Sequence, residues 1–202
     1  MKNEIRFALL TAALAAFSLP GLSQDSAANA PVTGQTIEQR QDNQQNRIAN
    51  GVKSGELTAG ESANLEKKES AVNQETNRMR KADDGSLTAA DKSKINEQQN
   101  QLSKQIYEDK HNSATQNPDP KSEVGKRAEN QQDRIAQGVK SGQLNAGEAA
   151  HLEGNEARIN NEVRNDRAAN GGKLTNSEKA QINRQQNRQS RQIYQAKHNG
   201  RR

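Results

Sequence analysis

The chain contains no cysteine and no tryptophan, and only two phenylalanines and two tyrosines. Without cysteine there is no disulfide framework, no thiolate-held zinc or iron–sulfur centre and no thiol nucleophile. Apolar residues are also scarce, at 29% of 202 positions. That supply cannot build the core of an ordinary α/β enzyme of this size. The sequence shows no Ser/His/Asp arrangement, no phosphate loop and no dinucleotide fingerprint. Amides fill the place of the missing residues: 22 Gln and 23 Asn, more than a fifth of the chain.

The longest apolar run is short and lies at the start. Lys2 and Arg6 precede an eleven-residue stretch at 7–17 (FALLTAALAAF), and Pro20-Gly21 breaks any helix after it. This is the length of a signal-peptide core and too short to span a bilayer. Small residues at Gly21 and Ser23 suit cleavage after Ser23. Residues 1–23 therefore read as a signal peptide, and 24–35 as a flexible segment opening an exported mature chain. The sequence does not separate a periplasmic from an extracellular destination.

The remainder is one unit written twice. Residues 38–112 align with 125–199 at a constant offset of 87, without a gap, and 40 of 75 positions are identical. NQQNRIANGVKSG at 43–55 is answered by NQQDRIAQGVKSG at 130–142, and QIYEDKHN at 105–112 by QIYQAKHN at 192–199. Such strict spacing implies tandem duplication of a folded unit. All four prolines fall outside the repeats, two of them in SATQNPDPKS at 113–122. The expected organisation is helical repeat unit 1 at 36–112, a linker at 113–122, unit 2 at 123–199 and a basic tail at 200–202.

Each unit reads as three helices, near 36–53, 59–82 and 89–111, then 123–140, 146–169 and 176–198. Leu65, Val72 and Met79 recur at sevenfold spacing, with Leu152 and Ile159 as their counterparts. Ile95, Leu102 and Ile106 mark the third helix, answered by Ile182 and Ile193. The period is helical and the apolar seam narrow, closer to a coiled coil than to a broad globular face. The expected fold is all-α, two tandem three-helix units joined by a proline-containing linker. About ten large apolar side chains per unit, worth roughly 1.5–3 kcal/mol each when buried, make a thin core. Either marginal stability is expected, or extra burial from packing the units together or from a homo-oligomer.

Four loops share one pattern: SGELTAGE (54–61), DGSLTAAD (84–91), SGQLNAGE (141–148) and GGKLTNSE (171–178). Two readings compete. In the first, Gly55, Gly85, Gly142 and Gly172 end one helix in the left-handed region. Thr58, Thr88, Asn145 and Thr175 then N-cap the next, with Glu61, Asp91, Glu148 and Glu178 completing capping boxes, a role for which Asp91 is short. In the second, the stretch resembles the latter half of an EF-hand calcium loop, with Gly at position 6, an apolar residue at 8, an oxygen donor at 9 and an acid at 12. That resemblance implies calcium ligands among Asp84, Thr88, Asp91, Glu61, Glu148 and Glu178. The first half departs from the family: position 1 is Asn50, Arg80, Gln137 or Arg167, and position 3 is valine or alanine. LTAGE, LTAAD and LTNSE also resemble the Leu-Thr-x-x-Gln signature of small periplasmic stress chaperones, with an acid in place of the glutamine. As a whole, the duplicated pattern looks like uncharacterised secreted bacterial proteins built from tandem helical units.

Chemistry-bearing residues are few. His111 and His198 are equivalent, each in Lys-His-Asn at the end of a third helix, where a cation suits the helix dipole and Asn112 and Asn199 fit as C-caps. His151 is matched by Asn64, and no histidine lies four residues from another. Glu66, Glu69 and Glu75, with Glu153, Glu156 and Glu162, are expected on a solvated helix face paired with Lys and Arg. Charge is uneven: 24–122 carries 13 basic and 15 acidic residues, 123–202 carries 15 and 9. Beyond Glu178 there is no acid, and Arg184, Arg188 and Arg191 share a helix face that fits an anionic polymer. Tyr107 and Tyr194 are the only aromatics beyond Phe17, which disfavours nucleic acid for want of stacking platforms. The expectation is an exported, non-enzymatic protein acting through surface contacts as a binding, scaffold or chaperone-like envelope component. Its partner is a protein or an anionic envelope polymer. A calcium-responsive module and polyanion binding by the last helix are the alternatives, and no cofactor other than calcium is suggested.

Overall fold

The structure is a computed structural model that describes residues 34–116, 119 and 121–200. The expected signal peptide, most of the segment at 24–35, part of the linker and the last two arginines lie outside the described residues. Those described form six α-helices and no strand: α1 (Ile37–Ser54), α2 (Ala59–Ala82), α3 (Ala89–Lys110), α4 (Glu123–Lys140), α5 (Ala146–Ala169) and α6 (Asn176–Lys197). The chain is all-α, as its periodicity predicts.

The helix ends follow from local chemistry. Thr36, Thr58, Thr88, Asn145 and Thr175 hold extended backbone at N-cap, and each side chain accepts from the amide three residues on. In all five, the residue at that third position answers with a side-chain bond to the N-cap amide, completing a capping box. Asp91 does so despite its shorter reach, accepting from Thr88 N at 3.1 Å. The start of α4 differs. Ser122 caps Gly125 N, and a Cβ at Gly125 would fall 1.7 Å from the Asp119 carbonyl oxygen, so the linker leaves no room for a box there.

Like helices pair with like across the two repeats. The α2–α5 contact is the most extensive in the molecule and α1–α4 is next, while α3 flanks α1 and α2, and α6 flanks α4 and α5. This reciprocal pairing is the pattern of an isologous contact, here made within one chain. One apolar cluster takes Ile48, Val52, Leu57 and Leu65 from the first repeat and their equivalents Ile135, Val139, Leu144 and Leu152 from the second, with Leu102, Ile106 and Ile193. A smaller cluster of Val124, Ile159, Val163 and Ile182 belongs to the second repeat alone.

Candidate functional site

The middle helices put acids where their apolar stripe runs. On α2, Leu65, Glu69, Val72 and Thr76 follow the i, i+4, i+7, i+11 spacing of a single face, with Ser62 and Glu66 beside it. All six are buried, and α5 repeats the arrangement with Leu152, Glu153, Glu156, Ile159 and Val163. Glu66, Glu69, Glu153 and Glu156 are 1%, 0%, 1% and 0% exposed. The solvated face expected for these four is therefore wrong. They lie inside, on the two helices that make the largest contact between the repeats; Glu66 acts on Glu153 across that contact, while the neighbours of Glu69 and Glu156 come from their own repeats. The expectation for Glu75 holds better: it is half-buried and paired with Lys94 at 2.6 Å. Glu162, also half-buried, accepts instead from the amides of Gln181 and Gln185.

Two amides reach into the quartet from the first helix of each repeat. Gln45 Nε2 donates to Glu66 Oε2 at 2.9 Å, and its equivalent Gln132 donates to Glu153 Oε2 at 2.8 Å. The other six carboxylate oxygens of the quartet have no hydrogen-bond partner. Burial is the main cause that raises all four acids: Glu66 to about 7, Glu69 and Glu156 to about 8, and Glu153 well above the ordinary range. Neighbouring carboxylates add to this, Glu66 and Asp42 on Glu69, and Glu156 and Glu66 on Glu153. Gln189 from α6 opposes the rise at Glu156, although its own amide is committed to the Leu152 carbonyl at 2.8 Å.

Buried glutamines also strap the helices together. Gln44 donates to the Gln99 carbonyl at 2.6 Å, and Gln99 to that of Ile37 at 2.9 Å. The second repeat copies both bonds, Gln131 to the Gln186 carbonyl at 2.7 Å and Gln186 to that of Val124 at 2.9 Å. Each strap takes a helix carbonyl as acceptor and leaves its own Oε1 unpartnered. This explains why Gln44 and Gln99 recur unchanged in the second repeat.

The four Gly-x-Leu-Thr/Asn loops are joints between helices. Gly55, Gly85, Gly142 and Gly172 all have positive φ, from 68° to 88°. Glu61 accepts from Thr58 N at 2.8 Å, Glu148 from Asn145 N at 3.1 Å and Glu178 from Thr175 N at 2.7 Å. The side chains proposed as calcium ligands thus point their oxygens at the cap, and Asp84 sits exposed with φ 50°. Among the described residues no three His, Asp or Glu side chains are grouped to hold a metal ion. Leu57 and Leu144 are buried beneath Gly51 and Gly138, whereas Leu87 and Leu174 are only half-buried.

The Lys-His-Asn ends belong to the same joints. His111 and His198, not the asparagines, are the C-caps of α3 and α6. Each ring stacks on the tyrosine one turn back, at 4.1 Å for Tyr107–His111 and 4.2 Å for Tyr194–His198. Asn112 instead reaches across to Glu61 Oε1 at 2.8 Å, and Asn199 makes the matching bond to Glu148. One carboxylate thereby ties the start of a middle helix to the end of a third helix. His151 is exposed on α5.

Arg184, Arg188 and Arg191 are exposed on α6, as their spacing requires. A cavity of about 450 Å³ lies where the linker crosses α2, α4 and α5, with Arg164 and Arg167 in its wall. Arg167 is tied to Asp119 at 3.3 Å and to Ser122 Oγ at 3.0 Å. No helix is long and apolar enough to cross a membrane among the described residues. No protein family, curated protein or solved structure matches the chain.

Proposed function

We propose that the protein is an exported, non-enzymatic component of the cell envelope that works by surface contact, and that the arginine stripe of α6 is its binding face for an anionic polymer. The observation that carries this reading is the exposure of Arg184, Arg188 and Arg191 on one helix whose sequence has no acid after Glu178. Such a stripe recognises phosphate or carboxylate groups through charge and fork-shaped hydrogen bonding, without a shaped pocket. The non-enzymatic part is supported by the placement of the strongly perturbed acids. A general acid must reach its substrate, and Glu66, Glu69, Glu153 and Glu156 are sealed between helices.

Retention on immobilised heparin, an anionic polymer, compared with the uncharged matrix, tests the reading. Binding should be confined to the anionic matrix, weaken as salt is raised, and be lost in the Arg184→Ala/Arg188→Ala/Arg191→Ala variant. Binding that ignores salt, or that the triple variant retains, overturns it. So does the absence of binding.

A further inference from the structure

We propose that Glu66, Glu69, Glu153 and Glu156 form a proton-binding site that locks α2 against α5, and that release of those protons opens the contact between the two repeats. The argument begins with position. All four side chains are at most 1% exposed, and all four sit on the helix pair that makes the largest contact between the repeats. The same two-acid motif, Leu-Glu-x-x-Glu, enters from each side.

The surroundings do not suit four ionised groups. Gln45 from α1 and Gln132 from α4 give one hydrogen bond each, and six of the eight oxygens receive none. Gln189, from α6, donates to the Leu152 carbonyl and lies close enough to Glu156 to oppose part of its rise. The charged neighbours that act on the quartet are themselves acids: Asp42 from α1 on Glu69, and Glu66 from across the contact on Glu153. On α2 itself, Lys68 is exposed and donates to the Gln105 side chain of α3 instead. A like-charged set without counter-ions in a dry contact is unstable by any account of desolvation. It can be relieved by a metal ion, by protons or by letting water in. Among the described residues no metal-holding group exists, which leaves protons for the closed form and water for the open one.

The two amides each donate to one oxygen of Glu66 or Glu153, which by itself favours the ionised form, but the second oxygen of each receives nothing and burial outweighs the single bond. Glu69 and Glu156, with both oxygens bare, and the fully buried Glu153 all gain from neutrality. Burial pushes Glu66 up to about 7 and Glu69 and Glu156 up to about 8, so these protons leave around neutral to mildly alkaline pH. Opening would expose Leu65 and Leu152 together with the acids, turning a dry seam into two amphipathic helix faces.

Hydrogen exchange followed by mass spectrometry on the purified chain tests the gating. Infrared spectroscopy of the protonated-carboxyl stretch in the same samples tests the protonation. Below neutral pH the carboxyl band should be present and peptides from α2 and α5 protected. As pH rises past the quartet's range the band should vanish and protection should fall, the opening constant growing about tenfold per pH unit for each proton released. The Glu66→Gln/Glu69→Gln/Glu153→Gln/Glu156→Gln variant mimics the protonated form. Its protection, corrected for intrinsic exchange, should not change with pH. Should that variant not fold, Glu69→Gln/Glu156→Gln removes the two acids without amide partners and should weaken both the band and the pH response. A band absent at every pH overturns the proposal. It is equally overturned by a band that vanishes without loss of protection, or by variants that open as the natural chain does.

Discussion

Gly51 and Gly138 occupy the interior of helices, where glycine ordinarily costs about 1 kcal/mol relative to alanine. Their value lies in what sits above them. A Cβ at Gly51 would come within 2.7 Å of Leu57 Cγ and Cδ1, and one at Gly138 within 2.6 Å of Leu144 Cδ1. Leu57 is fully buried, so it cannot swing aside without disturbing the core. Gly51→Ala should therefore lower the thermal midpoint, by roughly 1–3 kcal/mol of overpacking strain, despite its better helix propensity. A rise in midpoint would show that Leu57 has room to move. The repeated Gly-x-Leu pattern draws the eye to Leu57 and Leu144, but nothing in the sequence marks the glycine six positions earlier that makes space for each. The buried glutamates were hidden for a related reason. Nothing in one dimension says that Glu66 and Glu69 are covered, because the cover comes from helices distant in sequence: Gln45 of α1 on Glu66, and α5 packed against α2.

At the scale of the helices, the boundaries were legible to within a residue or so, since every start but that of α4 is marked by a capping residue and an acid or amide three positions on. Unlike helix starts, some helix ends carry strain. After α2 the chain enters the left-handed region at Asp84, φ 50°, the one such residue other than glycine among those described. Its equivalent after α5 is Gly171, φ 62°. Asp84→Gly should relieve the conformational cost and raise stability by about 0.5–1 kcal/mol, less what the unfolded chain gains in freedom. Chemical denaturation of the two proteins side by side checks this, and a loss of stability would mean that the aspartate contributes a contact of its own. The glutamine straps were not legible. A buried Gln and a surface Gln look alike in one dimension, and only packing of α1 on α3 and α4 on α6 brings Gln44, Gln99, Gln131 and Gln186 to helix carbonyls.

The whole molecule has one main core, fed by all six helices. Thermal unfolding should accordingly show one cooperative transition rather than one for each repeat. Its midpoint should depend on pH in a direction set by the quartet. Between about 4.5 and 8 the folded chain holds protons that the unfolded chain has released, so stability falls as pH rises through that range. Glu38, Glu75, Asp91 and Glu178 are shifted downwards by hydrogen bonds and act oppositely below that range, but each is at least partly open to solvent and weighs little. The midpoint should be highest in mildly acidic buffer and lower at pH 8, a difference on the order of several kcal/mol. Circular dichroism melts across that range provide the check. Two separate transitions, or a midpoint that climbs towards pH 8, would contradict the shared acidic core.

The pairing of α1 with α4 and α2 with α5 has one more consequence. Because the two repeats are near-copies, the partner that each half needs is offered by every other molecule in solution as well as by its own chain. Folding within one chain is favoured by the tether at 113–122, which holds the halves at an effective concentration of the millimolar order. Crowding of the protein towards that concentration would make exchange between chains competitive, and the same surfaces that close a monomer would then join one molecule to the next.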